Sequence, residues 1–459
     1  MSSSAKPLLV LTCTPGAGHI NPIKGLAQAL VLDGYEVTAV SSSHYQSVFE
    51  GVGCGYVAVQ GYGDYWDEDR DAKWPERALI PPGPEQFSWT MEHSFIRVIP
   101  DQFAAIQKAI EILREKNPGR PVLLLNESGF LGALPIMRGA QGVKPDGVIG
   151  VGVLLVSLNS VDTAPFGPGL PPPTSAASEV AQYAEMRKHI DGLIWEKPLK
   201  VCRDIMGELG AQVPDDEALS PDVVYFWPDR FLQLCPPSTQ YPRSDAPKTF
   251  RFTGGLPRLP REPGASAVER PAWWDEVVEN PAKKDIVLVT QGTVELNYEN
   301  LISPTLETMK DRPNTLVIVV LGVKGASLGS DVTIPDNARV LDYLPFDDVL
   351  PHCSVLVHNG GYGGVQHSIR HGTPMVLAGE TEDKPEMCAI AAWAGVAVNL
   401  KTGKPSKEAL RTAIDEVISD SKYKQACQRI QEEIASFDPL KVITETIDGI
   451  VQSKQPVTR

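Results

Sequence analysis

Short runs of consecutive apolar residues alternate along this chain with longer segments whose apolar positions recur every three or four residues. That is the pattern of buried parallel strands joined by amphipathic helices. In the first block Leu8 opens an apolar run (LLVLTC), a helix is predicted at about Pro22 to Asp33, and strands follow at Glu36 to Val40 and about Tyr56 to Val59. A helix from Asp101 to Glu115 and a strand from Val122 to Leu125 resume the alternation, and Val148 to Leu158 reads as a further strand. The second block repeats it: strand Asp285 to Thr290, helix at about Tyr298 to Lys310, strand Thr315 to Leu321, then apolar runs at Ser354 to His358 and Pro374 to Ala378. Two successive βαβ blocks predict an α/β protein with two doubly wound parallel sheets.

Between the blocks the pattern lapses. Pro236, Pro237, Pro242, Pro247, Pro257, Pro260, Pro263 and Pro271 crowd a stretch with little helical period, which is linker chemistry. The predicted organisation is a first domain over 1–240, a linker over 241–280, a second domain over 281–436, and a final segment over 437–459 whose amphipathic part, Lys441 to Gln452, crosses back onto the first domain. Two further stretches lack periodicity: Gly61 to Phe95, rich in aromatics and proline, and Pro165 to Pro173 (PFGPGLPPP). Long irregular loops of this kind usually carry function. Both are read as walls of a binding pocket, with Trp66, Trp89 and Phe166 as contacts, although plain surface connections have the same composition.

The chain has 459 residues, 42% of them hydrophobic, which suits two domains rather than one core. Its net charge of -15 argues against binding to nucleic acid or to an anionic membrane, where like charges would meet. No apolar run approaches the roughly 20 residues of a membrane span, and Met1 to Pro7 leads straight into a strand without a signal peptide, so the cytoplasm is the expected location. Seven scattered cysteines, among them Cys13, Cys353 and Cys388 in apolar elements, read as reduced structural thiols.

The chemistry concentrates in two places. After the run Ser354 to His358 come Gly360, Gly361, Gly363 and Gly364, and a helix is predicted over roughly Gly363 to His371. Glycines there let the backbone approach a ligand, and the free amides and positive end of the helix favour phosphate. His358 sits where an imidazole can donate to a diphosphate oxygen, Gln366 lies one turn into the helix, and Asp383 follows the next strand. In the first block Gly16, Gly18 and His19 fall in the turn after the first strand. In a sheet of order 3-2-1-4 that turn opens beside the end of the fourth strand, which Glu127 follows directly. A carboxylate can orient a histidine that takes a proton from an acceptor hydroxyl. Asn126 and Asp101 are alternative partners for His19.

At these residues the chain resembles the family 1 UDP-glycosyltransferases, in forms closer to their microbial and fungal branch. Tyr343-Leu344-Pro345-Phe346, His358 to Gln366, Gly372-Thr373-Pro374 and Asp383-Lys384 stand in the order and spacing of that family's Trp-x-Pro-Gln, His-x-Gly-x-x-Ser/Gly-x-x-Glu, Gly-Val/Thr-Pro and Asp-Gln elements. The resemblance implies the GT-B fold, two Rossmann-like domains facing across a cleft, with the acceptor in the first and the nucleotide sugar in the second. It implies that Tyr343 stacks on the base, that His358 with the backbone from Gly360 to Gly364 holds the diphosphate, that Gln366 meets the ribose and that Asp383 with Lys384 reads the sugar. Gln291 to Thr293 stands at the family's Gly-Ser/Thr turn, placing Thr293 on the diphosphate from the other side, and Gly18 is counted with the donor contacts. His19 and Glu127 stand for the family's His-Asp dyad, one methylene longer. The implied reaction is inverting transfer of a hexose, glucose from UDP-glucose in the first instance, to a hydroxyl of a small lipophilic or aromatic acceptor, with no cofactor and no metal. Phe346, Gln366 and Lys384 depart from the family's Gln, Glu and Gln or His, which leaves base and sugar open. Lys384 either donates to the sugar or pairs with Glu382 or Glu386 as a surface charge.

Other classes fit less well. A nicotinamide-dependent oxidoreductase would need a third small residue where Asn21 stands and an acid after the second strand. A metal-dependent transferase would use an Asp-x-Asp string, present as Asp67-Glu68-Asp69 and Asp69-Arg70-Asp71, but these lie in an acidic run that reads as a solvated loop. A non-catalytic nucleotide-sugar-binding protein would not need both His19 and Glu127.

Overall fold

The computed structural model describes residues 5–67, 69–174, 176–259, 270–292, 295–330 and 332–453. The first sheet is built from β1 (Leu8–Thr12), β2 (Glu36–Ser42), β3 (Gly55–Val59), β4 (Val122–Glu127), β5 (Gly147–Gly152), β6 (Arg230–Gln233) and β7 (Phe250–Phe252) in the order β3-β2-β1-β4-β5-β6-β7. The second holds β8 (Asp285–Thr290), β9 (Thr315–Val320), β10 (Ala338–Leu341), β11 (Val355–His358), β12 (Met375–Leu377) and β13 (Ala397–Asn399) in the order β10-β9-β8-β11-β12-β13. All these pairings are parallel.

Both sheets are covered on two faces, which is why their central strands are apolar throughout. Along β1, Leu9 and Leu11 join one core with Leu123, Leu125, Ile149 and Val151, while Leu8 and Val10 join the opposite core with Val122, Leu124 and Val148. In the second sheet Ile286 and Leu288 face one way and Val287 and Val289 the other. The helix Ala17–Leu32 covers the first of these faces, and the helix Pro439–Ser453, from the far end of the sequence, joins it there through Val442, Ile443, Ile447 and Ile450. No helix among the described residues is long and apolar enough to cross a membrane. All seven cysteines are buried and unpaired.

Several boundaries differ from the sequence expectation. β7 pairs with β6 through Phe231 and Phe250, so the first sheet runs past residue 240 into the proline-rich stretch. The apolar run after Val148 stops being a strand at Gly152, and Val156 and Leu158 instead pack as coil against Tyr225 and Phe231. The first helix begins at Ala17 rather than near Pro22, with Pro22 inside its second turn, so His19 stands on the helix and not in the turn before it. The irregular stretch from Gly61 folds into short helical pieces, ending in a π-helical turn over Met91–Ile96.

Candidate active site

The register of β1 against β4 sets Thr12 opposite Asn126, and this brings the ends of both strands together at the carboxyl edge of the first sheet. Glu127, the last residue of β4, is fully buried there. Its Oε2 accepts the Thr14 amide at 3.1 Å and its Oε1 the Gly129 amide at 2.8 Å. His19 Nδ1 lies 3.1 Å from Oε1, close enough for an ion pair, although the N–H direction falls off the line of a hydrogen bond. Burial pushes the carboxyl up, but the imidazole, with Thr14 and the Gly129 amide, outweighs it and holds Glu127 below its ordinary value, so it stays ionised. For His19 burial and the positive end of the helix both disfavour the imidazolium. The Glu127 carboxylate, with Asp67 and Asp383 beyond it, more than offsets this and raises the imidazole above its ordinary value. The alternative partners are engaged elsewhere: Asn126 accepts from Thr12 Oγ1 at 2.8 Å, and Asp101 accepts the Gly63 amide at 2.8 Å.

The second sheet carries the other half. His358, at the end of β11, is buried, and its Nδ1 accepts the Gly360 amide at 3.1 Å. That bond assigns the ring proton to Nε2, which can then donate to an anion. Burial, helped by the nearby Lys384 ammonium, pushes His358 down to about 4, so it is a neutral donor at physiological pH. The glycine-rich helix starts at Tyr362, within one residue of the expected place, with Gly361 as its extended cap. Two of the four glycines are required by packing: a Cβ on Gly364 would lie 2.5 Å from the His358 ring, and one on Gly360, at φ 79°, would lie 2.3 Å from Cys388 Sγ. Gly363 and Gly18 face open space. The Gln366 amide nitrogen is buried without a hydrogen-bond partner among the described residues.

Asp383 stands just before the helix Lys384–Trp393. Burial raises its carboxyl despite the Lys384 and His19 charges nearby. Its electrostatic coupling to His19 joins the two sheets' carboxyl edges across one cleft. Lys384 donates to Glu382 at 2.6 Å and to Thr381 Oγ1 at 3.1 Å. It does pair with Glu382, but it is buried, which corrects the surface reading. Tyr343 is 40% exposed, with the Lys324 ammonium 5.3 Å from its ring centre. Thr293 lies outside the described residues. Trp66 stacks on His44 at 4.6 Å, Trp89 stacks on His93 at 4.0 Å, and Phe166 packs against the second domain's core; all three are half-buried.

Two residues at the cleft, Asp67 and Glu386, read in the sequence only as solvated or surface charge. Asp67 accepts the Ala17 amide at 2.9 Å. Glu386 accepts the amides of Gly167 and Gly169, both at 3.2 Å, tying the Pro/Gly loop of the first domain to the second. Neither carries a local signal, since an acid in a polar loop and an acid in a first helical turn are both common surface features.

Residues 314–448 fit the family described as erythromycin biosynthesis protein CIII-like, C-terminal domain. The chain is 39% identical over 448 residues to UDP-glucosyltransferase A1 of Starmerella bombicola, covering 98% of this chain and 93% of that one. It is 36% identical over 454 residues to UDP-glycosyltransferase 2 of Phaeomoniella chlamydospora, covering 98% and 97%. Among solved structures, the glycosyltransferase of kitacinnamycin superposes with a TM-score of 0.68 at 18% identity, over 98% of this chain and 99% of that one. With two parallel sheets meeting at such a cleft and relatives this similar over nearly their whole length, the chain belongs to the UDP-glycosyltransferases and is a UDP-dependent transferase of the GT-B fold.

Proposed function

We propose that this enzyme transfers glucose from UDP-glucose to a hydroxyl of a small lipophilic or aromatic acceptor, with inversion at the anomeric carbon. The observation that carries this reading is His19, backed at 3.1 Å by the buried Glu127 and electrostatically coupled across the cleft to Asp383. The imidazole takes the proton of the acceptor hydroxyl as its oxygen attacks the anomeric carbon from the face opposite the diphosphate. The bond to the diphosphate breaks, and UDP leaves with the electron pair. One direct displacement inverts the centre. His358, the backbone from Gly360 to Gly364 and the start of the helix Tyr362–Arg370 meet the diphosphate charge, Gln366 supplies a donor to the ribose, and Asp383 accepts from sugar hydroxyls. The two similar relatives are named a UDP-glucosyltransferase and a UDP-glycosyltransferase, which supports UDP and favours glucose.

The deciding experiment is a panel of sugar nucleotides and hydroxyl acceptors read by product mass, with the anomeric configuration of each product assigned by NMR. A β-glucoside from UDP-α-glucose is expected; a retained configuration would remove the single-displacement step. Because imidazole and amides meet the phosphate charge, turnover should persist in excess chelator. Loss of activity there, restored by manganese, would overturn this account of the donor site.

A further inference from the structure

We propose that Asp67 is a positioning residue for the general base: it seats the first turn of the helix carrying His19 and presents a second carboxylate to the imidazole, so the base is complete only when the loop after β3 is docked. The inference rests on His19 as the base.

The helix Ala17–Leu32 begins without a cap of its own. Gly16 has no side chain to offer, and no acidic residue stands in the first turn. The amides of such a turn need acceptors, and a carboxylate suits them best because the helix end is positive. Asp67 supplies it from fifty positions away, taking the Ala17 amide at 2.9 Å. The approach is close enough that a Cβ on Gly16 would lie 3.1 Å from both carboxylate oxygens, so Gly16 also makes room for Asp67. The segment is pinned just before Asp67. Asp64 accepts from Ser42 Oγ at 2.7 Å and from the Ser43 amide at 2.8 Å, and the Tyr65 hydroxyl donates to Ser94 O at 2.6 Å. Beyond it, the Arg70 charge adds to that of Lys384 in lowering the Glu382 carboxyl of the second domain, and its Nε is buried without a hydrogen-bond partner among the described residues.

The charged groups bearing on His19 therefore come from three elements: Glu127 at the end of β4, Asp67 from the loop, and Asp383 from the donor side. As the acceptor proton moves to the imidazole, positive charge grows where these carboxylates already stand, and none of them has to reorganise. Glu127 is held within the first sheet, whereas Asp67 is present only when its loop is seated. Base strength is thereby tied to the placement of a loop that also carries Trp66 and Trp89.

Asp67→Asn separates charge from shape, since its amide oxygen can still accept from Ala17. The expected result is a slightly lowered melting temperature with UDP affinity unchanged, His19 titrating at lower pH by NMR, an acid limb of kcat/KM shifted the same way, and turnover down roughly threefold to tenfold. Asp67→Ala should add a loosened helix start and a larger loss. An Asp67→Asn protein whose His19 titration and acid limb both stay in place overturns the proposal, whatever its rate. The His19 titration needs no turnover, so it tests the seat even if His19→Ala proved active and the base assignment failed.

Discussion

At the scale of the residue, the proposed base, His19, has its imidazole raised by carboxylates against the effect of burial. His19→Ala should lower turnover on an alcohol acceptor by roughly 100-fold to 10,000-fold and leave UDP affinity nearly unchanged. Acidic phenols, already ionised, should lose less. Activity within a few-fold of wild type on an alcohol would sink the assignment. The pH dependence follows in sign. The imidazole works when neutral, and its raised value means activity is lost as pH falls through a point above the ordinary histidine range. Glu127→Gln removes the largest raising influence, so the acid limb should move to lower pH while the maximal rate drops; an unmoved limb would assign it to another group. His358, held near 4, should contribute no limb in that range. His19 and Glu127 were legible in the sequence because strand order alone brings the ends of β1 and β4 together. Lys384 was not, since burial of a paired lysine depends on packing that no local pattern encodes. Asp67 was hidden for a different reason: its partner is a backbone amide, which leaves no trace in side-chain spelling.

At the scale of the element, the helix Tyr362–Arg370 is clasped to the segment that precedes it. Asp347 Oδ1 accepts from His367 Nδ1 at 3.1 Å and from His371 Nε2 at 2.7 Å, and the two imidazoles hold its carboxyl well below the usual range. The Phe346 ring meets His367 edge-on at 5.7 Å. Through this clasp the piece of chain bearing Tyr343 is fixed to the helix proposed to meet the diphosphate, so the proposed base and diphosphate contacts should be coupled. The groups are partly exposed, which limits the contribution to about 1 kcal/mol, or about fivefold in affinity. Asp347→Ala should weaken UDP binding by that amount in a calorimetric titration; an unchanged affinity would detach the clasp from the base. The glycine-rich helix was legible to within a residue because strand, glycines and apolar period agree there. The start of the helix Ala17–Leu32 was not, because Pro22 reads as a helix start while the true cap is distant in sequence.

At the scale of the whole molecule, the loop around Gly169 joins the domains. Gly169 has φ 66°, and a Cβ there would stand 2.5 Å from Pro385 O. An alanine is thus opposed both by backbone strain of about 1–2 kcal/mol and by a clash with main chain. Gly169→Ala should push the loop off Glu386 and raise the acceptor KM about tenfold or more, with UDP affinity kept; kinetics within twofold of wild type would refute the tie. The two-sheet plan and the order of the first four strands were legible from the alternation of elements. β7 was not, being three residues long among prolines, with its place fixed by Phe250 stacking on Phe231.

The helix Pro439–Ser453 carries a consequence for biogenesis. Its apolar face completes a core begun at Leu9, so the first domain to leave the ribosome lacks one wall until about 200 residues after β7 have been made. At roughly 5–20 residues per second that is a wait on the order of 10–40 s, during which a hydrophobic surface stands open to chaperones and to self-association.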